Sequence, residues 1–373
     1  MGYKVGKRTM TSLGDRPGLY AGLGLMSGTS LDGIDVAMVE TDGGERVLLG
    51  PALTIAYQET FRERLRSVLG GVGPVAEVED ELTRLHADAV GQFLRRHPGA
   101  VIDIVGFHGH TIRHRPAERR TWQLGDGALL ARLLGLDVVA DFRSADVATG
   151  GEGAPLAPLF HAALATALPK PLAVLNIGGV ANVTWIGEAS EILAFDTGPG
   201  NALIDDWVRR HTTAAADIDG ALARAGRASA PHVARFLASP FFDRPPPKSL
   251  DRDDFRPFVP ESLSLEDGAA TLTEMTAEGV AAAARHFPAP AREWLVCGGG
   301  RHNPALMEAL GRRLGASVWP VEAVGWDGDA LEAQAFAYLA VRSLHGLPLS
   351  LPSTTGVARP TCGGRLFRPV IAS

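Results

Sequence analysis

Twice along this chain, three short strand-patterned runs joined by glycine-rich turns give way to alternating helix and strand. The first set of runs falls at residues 20–26, 34–40 and 47–57, separated by Gly, Ser and Asp turns that read as hairpins. Apolar periodicity then predicts helices at 77–96 and 127–134 and buried strands at 102–107 and 138–140. The second set falls at 172–176, 181–186 and 192–196, turned by Gly178-Gly179 and Gly187. After it come a helix from Ala202, a helix around 275–285, a strand at 293–297, a helix at 304–314, a strand at 317–320 and a helix at 330–344. Pro304 suits the first turn of its helix, where a missing N–H costs nothing. The order of elements repeats while the sequence does not.

A chain of 373 residues is longer than a single core comfortably fills, so two domains are expected. The boundaries read as a loose extension over 1–19, a first domain over 20–168 and a second over 169–373. Within the second, an insertion at about 212–273 is rich in Pro, Asp and Arg, and the last helix is free to pack back on the first domain. The run Asp243-Arg244-Pro245-Pro246-Pro247-Lys248 must be extended, which marks the insertion as a lid, edge or interface rather than core.

Composition narrows the partners. A net charge of −6 with scattered arginines offers no nucleic-acid footprint, and no apolar run approaches the roughly 20 residues of a membrane span. The two cysteines cannot build a disulfide framework, and the basic, polar start lacks an apolar signal segment. A cytoplasmic protein with a small-molecule ligand is the expectation.

The strongest chemical motif is Met26-Ser27-Gly28-Thr29-Ser30-Leu31-Asp32-Gly33-Ile34-Asp35, an apolar strand running into a turn of glycines, small hydroxyls and aspartates. Backbone amides at Gly28 and Gly33 can approach phosphate oxygens, with Thr29 and Ser30 as further donors. Asp32 and Asp35 would repel a phosphate directly and make sense as holders of Mg²⁺ or its waters. An ordinary hairpin fits the same residues, and spacing alone does not separate the readings. Two further glycine turns lie at strand ends, Asn176-Ile177-Gly178-Gly179-Val180-Ala181-Asn182 and Cys297-Gly298-Gly299-Gly300-Arg301-His302-Asn303. Between them, Asp196-Thr197-Gly198-Pro199-Gly200-Asn201 places an aspartate at a strand tip before a helix N-terminus, which reads as an anion site or a base facing one. His108, His110 and His114 alternate in a way that keeps no common face, so they do not read as a metal cluster.

The duplicated β-β-β-α-β-α order resembles the two-domain actin-like ATPase fold shared by sugar kinases, Hsp70 and actin, an α/β architecture with an inter-domain cleft. The motifs above, with Phe107-His108-Gly109-His110-Thr111-Ile112-Arg113-His114-Arg115-Pro116, Leu124-Gly125-Asp126-Gly127, Ala140-Asp141-Phe142-Arg143 and Gly150-Gly151-Glu152-Gly153-Ala154-Pro155-Leu156, look like those of the anhydro-N-acetylmuramic acid kinase family. The resemblance runs from Leu23 to near the end of the chain.

That family opens 1,6-anhydro-N-acetylmuramic acid with one water and phosphorylates O6 from ATP, in recycling of cell wall. The resemblance implies ATP and Mg²⁺ as cofactors, Asp196 as the base for the water, and residues 28–35 with Gly178, Gly179 and Gly198 around the ATP phosphates. It puts Gly298, Gly299, Gly300 and Asn303 near the adenosine, and His108, Thr111, Arg143 and Asp126 on the sugar. Arg143 would grip the lactyl carboxylate; a surface ion pair with Asp141 or Asp146 is its plainer alternative. A homodimer through the second half is also implied; closure of the halves on ligand is expected separately, because a phosphate clamp built from two hairpins must open to load. Three positions depart from the pattern: His110 and Glu152 stand where glutamine is usual, and Leu250-Asp251 replaces Thr-Gly. Rival readings are a kinase for a simpler anhydro sugar such as levoglucosan and an ATP-binding sugar sensor without turnover.

Overall fold

The structure, a computed structural model, describes residues 18–28, 31–251 and 254–369. Thr29 and Ser30 of the first glycine turn, and 1–17 of the expected extension, lie outside the described residues. The chain begins with β1 (Tyr20–Ser27), β2 (Gly33–Thr41), β3 (Val47–Ala56), α1 (Glu59–Ser67), α2 (Val75–Arg96), β4 (Ile104–Arg115) and β5 (Arg120–Leu124). It continues through α3 (Gly127–Leu134), β6 (Val138–Ala140), α4 (Ser144–Ala148), α5 (Pro158–Leu164), β7 (Leu172–Ile177), β8 (Val180–Ile186) and β9 (Ile192–Pro199). Next come α6 (Ala202–His211), α7 (Ala221–Ala225), α8 (Ala230–Leu237), α9 (Leu265–Ala284), β10 (Glu293–Cys297), α10 (Pro304–Leu314) and β11 (Ser317–Pro320). The last elements are α11 (Leu331–Leu344), α12 (Pro352–Thr355) and β12 (Arg365–Phe367).

Two compact units result, one from the residues up to Thr166 together with those from Ala330 onward, the other Ala167–Asp329. The division departs from a second domain over 169–373, because α11, α12 and β12 join the first unit. The reason is close packing: α11 lies across β1, β2 and β4, and its backbone comes so near the sheet that side chains there have no room. A Cβ on Gly24 would stand 1.7 Å from the Ala333 carbonyl oxygen, and one on Gly106 2.1 Å from that of Phe336. Alanines 333, 337 and 340 on the helix complete this small-residue interface, all of them buried.

The first unit's sheet runs β12-β6-β4-β1-β2-β3, with β5 paired to β4. β1, β2 and β3 are antiparallel neighbours, while β1, β4 and β6 are parallel. Leu23, Leu25, Ile34, Val36 and Phe107 of the sheet meet Val78, Leu82 and Phe93 of α2 in the core. The second unit's sheet runs β11-β10-β7-β8-β9 with the same directions, β7, β8 and β9 antiparallel and β7, β10 and β11 parallel. Leu175, Val183 and Phe195 pack there against Val280 of α9 and Leu306 and Leu310 of α10.

The 212–273 segment is more than an edge. Its prolines 245–247 are exposed or half-buried, as extended chain at a surface should be. Around them, however, Phe236, Phe241, Phe242 and Phe255 gather with Trp207 of α6 into a second buried cluster within this unit. The expectation of a non-core insertion holds for the prolines and fails for their aromatic flanks.

Candidate active site

In the first unit, the turn after β1 is marked by its backbone. Leu31 is buried and adopts φ 60°, a left-handed conformation costly for a branched side chain, and its amide donates to the Gly28 carbonyl. Asp32 is exposed, and its carbonyl accepts from Tyr57 N, so the turn is tied to the end of β3. Asp35, on β2 beside Met26, accepts from Thr54 Oγ1 of β3 at 2.6 Å. Gly33 has a packing explanation of its own: a Cβ there would lie 2.4 Å from the Ile55 carbonyl oxygen. Ile34 is buried in the core rather than facing the turn. Just before the turn, Ser27 Oγ accepts from Tyr57 OH at 2.8 Å and lies 3.1 Å from His110 Nδ1. His110 is fully buried, and burial pushes its pKa down to about 4, so a neutral imidazole faces the Ser27 hydroxyl.

A bulge aims the next group. Leu25 pairs with Phe107 but Met26 pairs with Gly109, so His108 is the extra residue of β4, and Gly109 takes φ 73° to restore the ladder. His108 Nδ1–H donates to Gly109 O at 2.9 Å, which leaves Nε2 as an acceptor for Arg143 Nε at 3.0 Å. Burial, then the guanidinium, hold the His108 pKa well below the usual value. Both ring nitrogens are thus occupied, and His108 is the support of Arg143. Arg143 Nη1 also donates to Gly153 O at 2.7 Å, and Nη2 has no hydrogen-bond partner among the described residues. The loop that provides Gly153 is itself held by Asp146, which accepts from Gly153 N and from Thr355 Oγ1. Glu332, on α11, feels Arg143 and Asp35; removal from bulk water raises its carboxyl pKa first, Arg143 opposes that and Asp35 adds to it. Its side chain nonetheless keeps solvent contact.

Two expected sugar ligands carry structural duties here. Asp126 caps α3, its Oδ1 accepting from Ala128 N and Leu129 N, and Thr111 Oγ1 accepts from Gln123 Nε2 at 3.2 Å.

In the second unit, one ladder row crosses four strands: Cys297 of β10, Asn176 of β7, Asn182 of β8 and Asp196 of β9. Adjacent residues in a row share a sheet face, so the two asparagines and the aspartate stand side by side. A bulge follows at Thr197, since Asn182 pairs with Asp196 and Ala181 with Gly198, where φ reaches 147°. Asp196 is half-buried, its amide donates to Lys248 O at 2.9 Å, and its Oδ2 accepts from Leu250 N at 3.0 Å.

Asp196 lies within β9, which runs on to Pro199, so it is not at the strand tip. Nor are the first amides of α6 open: Gly200 N and Ala202 N donate to Gly179 O, and Asn201 N donates to Gly178 O. The hairpin's carbonyls consume the donors that an anion would have used. What stays open is the outer side of the hairpin. A Cβ on Gly178 or Gly179 would meet nothing nearer than 3.6 Å, and on Gly299 nothing nearer than 3.6 Å. Gly298 and Gly300, by contrast, are required by packing, each with a contact at 2.4 Å. Asn303 caps α10 through Leu306 N and is buried. Arg301, whose role its motif does not reveal, braces this turn by pairing with Glu322 and Asp329.

A family model for anhydro-N-acetylmuramic acid kinase matches residues 20–369. The chain belongs to the anhydro-N-acetylmuramic acid kinase family. Curated relatives of that name include one from Paramagnetospirillum magneticum, 59% identical over 93% of this chain and 99% of its own length. Others come from Acidiphilium cryptum, 58% identical over 93% and 98%, and Rhodospirillum rubrum, 56% identical over 94% and 95%. The two sheets repeat one strand order, and no helix among the described residues is long and apolar enough to cross a membrane.

Proposed function

We infer that this chain is an ATP-dependent phosphotransferase that hydrolytically opens 1,6-anhydro-N-acetylmuramic acid and phosphorylates O6, yielding N-acetylmuramic acid 6-phosphate and ADP in peptidoglycan recycling. Family membership across 20–369 supports the activity, and Asp196 in its row of asparagines is the observation that supports the assignment of the base. In the anhydro sugar O6 is an ether oxygen and carries no proton, so the group needing a base is water. Asp196 takes a proton from water as its oxygen bonds to C1; the C1–O6 bond breaks, O6 bonds to the γ-phosphorus, and the bond to the β,γ-bridging oxygen releases ADP.

The first unit supplies positioning. Arg143, its Nε and one Nη1 hydrogen fixed by His108 and Gly153, offers Nη2 and the other Nη1 hydrogen to the lactyl carboxylate. On this reading the turn after β1 and the hairpin Gly178-Gly179 bind the ATP phosphates, and Gly299 the adenosine. Asp32, exposed, and Asp35, half-buried, are hard oxygen donors and would hold Mg²⁺. When bound, the ion would neutralise charge on the transferring phosphoryl group. The same reading includes a cytoplasmic homodimer.

Asp196→Asn tests the base directly. The variant is expected to lose about 10³-fold or more in kcat while binding ATP as the wild type does in titration calorimetry, the scale being that of a lost general base. Turnover near the wild-type rate would remove Asp196 from the mechanism.

A further inference from the structure

Lys248 is buried among aromatic rings, 2% exposed, beside the residue proposed as the base. Its ammonium donates to the carbonyls of Phe241 at 2.9 Å and Phe242 at 3.2 Å and lies 3.4 Å from His286 Nε2. It also sits 4.6 Å from the ring centre of Phe241 and 5.7 Å from that of Phe195, the residue preceding Asp196. A lysine in such surroundings is costly, and hydrophobic packing alone would be better served by methionine or leucine.

The backbone around Lys248 shows what the cost secures. β9 is the edge strand of its sheet, so the outer side of Asp196 has no strand partner. The 248–250 segment takes that place: Lys248 O accepts from Asp196 N, and Leu250 N donates to Asp196 Oδ2. These two bonds fix both the main chain and the carboxylate of Asp196. The segment follows three prolines, two of them half-buried, which contribute no backbone N–H to hold it in place. The Lys248 side chain, reaching back to Phe241 and Phe242, ties down both ends of the 241–250 loop.

We propose that Lys248 is a positioning residue for Asp196, its charged side chain clamping the 241–250 loop so that Leu250 N–H sets the orientation of the carboxylate toward water. The inference rests on Asp196 being the base. Hydrogen bonds from a charged donor are about twice as strong as neutral ones, so the clamp depends on the proton that Lys248 carries. The charged and titratable groups facing Lys248 are Arg244 and Arg285, which repel it, Asp243, which attracts it, and His286 in contact. Burial is the largest influence, followed by the two arginines, and together they bring the pKa down to about 8. The clamp is therefore complete below that pH and weakens as pH rises through it.

The test is kcat against pH for the wild type, Lys248→Arg and Lys248→Met, with KM for ATP measured alongside. The wild type is expected to lose kcat as pH rises through about 8. Lys248→Arg should lack that alkaline limb, because a guanidinium stays protonated. Lys248→Met should fall about 10²-fold in kcat at every pH with KM for ATP unchanged, the size of effect a misplaced catalytic group produces. An unchanged alkaline limb in Lys248→Arg, or wild-type turnover in Lys248→Met, overturns the proposal. Should both variants fail to fold by circular dichroism, Leu250→Pro removes the N–H donor, with Leu250→Ala as the control for the lost side-chain packing: loss of kcat at constant KM for ATP in Leu250→Pro beyond that in Leu250→Ala supports the clamp, and equal kcat in the two refutes it. The base assignment is judged separately. Turnover in Asp196→Asn defeats that assignment, whereas an inactive Asp196→Asn beside a fully active Lys248→Met defeats only the role of Lys248.

Discussion

The two sheets share one frame and place their acids differently. In the first unit the row Met26, Asp35, Thr54 crosses β1, β2 and β3; in the second the row Asn176, Asn182, Asp196 crosses β7, β8 and β9. The acid is on the second strand in one case and on the third in the other. Asp35, inside its sheet, is held by the hydroxyl of Thr54 across the ladder. Asp196, at a sheet edge, is held from outside by the 248–250 segment. An acid inside a sheet can be fixed by the sheet itself. An acid on an edge strand is fixed instead by the segment that covers the edge.

The glycines divide along the same line. Gly24 and Gly106 exist because α11 presses on the sheet, whereas Gly178 and Gly179 have room for a side chain in the protein alone. The largest effect is expected from Gly24→Val, whose side chain collides with the backbone at Ala333; it should lose the fold, a cost above about 4 kcal/mol, as read by thermal denaturation. Retention of a wild-type transition would mean that α11 can move away from β1. Next, Asp35→Asn should lower kcat about 10²-fold and raise the Mg²⁺ concentration needed for half-maximal rate, while Thr54→Val, which removes only the holding hydroxyl, costs less than Asp35→Asn in the same assay. Equal Mg²⁺ requirements in all three proteins would take Asp35 out of the metal site.

Arg143→Lys comes third. Losing the planar fork should raise KM for the muramic sugar about tenfold or more, with no comparable change for levoglucosan, which lacks the carboxylate. An equal rise for both sugars would make Arg143 a general support of the loop at Gly153. Gly179→Ala should leave the melting temperature within a few degrees, since its Cβ would touch only Ala202 at 3.6 Å, yet raise KM for ATP several-fold. The smallest effect belongs to His110→Gln. Glutamine can keep the hydrogen bond to Ser27, so stability should change by less than about 1.5 kcal/mol and KM for ATP by less than about twofold.

Most strands were legible because their apolar runs are bounded by glycine turns: β6, β10 and β11 fall where periodicity puts them, and α3 and α10 do as well. Others were hidden for physical reasons. β5 reads Arg-Thr-Trp-Gln-Leu and buries only Leu124, while α1 buries only Phe61 and Leu65, so neither leaves a strong pattern. The apolar run of β4 ends at Phe107 while the strand continues to Arg115 past the bulge at His108. The return of α11 to the first unit was written in alanines and glycines, whose message is close approach rather than hydrophobicity. In the site, motif residues were visible and their duties were not. The spacing of Asp126 and Asn303 before helices identifies caps as readily as ligands, and nothing in the sequence marks Lys248 as a buried cation.

The central claim is that water, deprotonated by Asp196, attacks C1 while O6 accepts the phosphoryl group. Turnover in ¹⁸O-labelled water, quenched early and compared with unlabelled product incubated in the same water, measures this by mass spectrometry of the sugar and its phosphate. The account predicts one ¹⁸O on C1 of N-acetylmuramic acid 6-phosphate and none in the transferred phosphoryl group. Label in phosphate, or a phosphorylated product whose C1 carries no more label than the control, would contradict it.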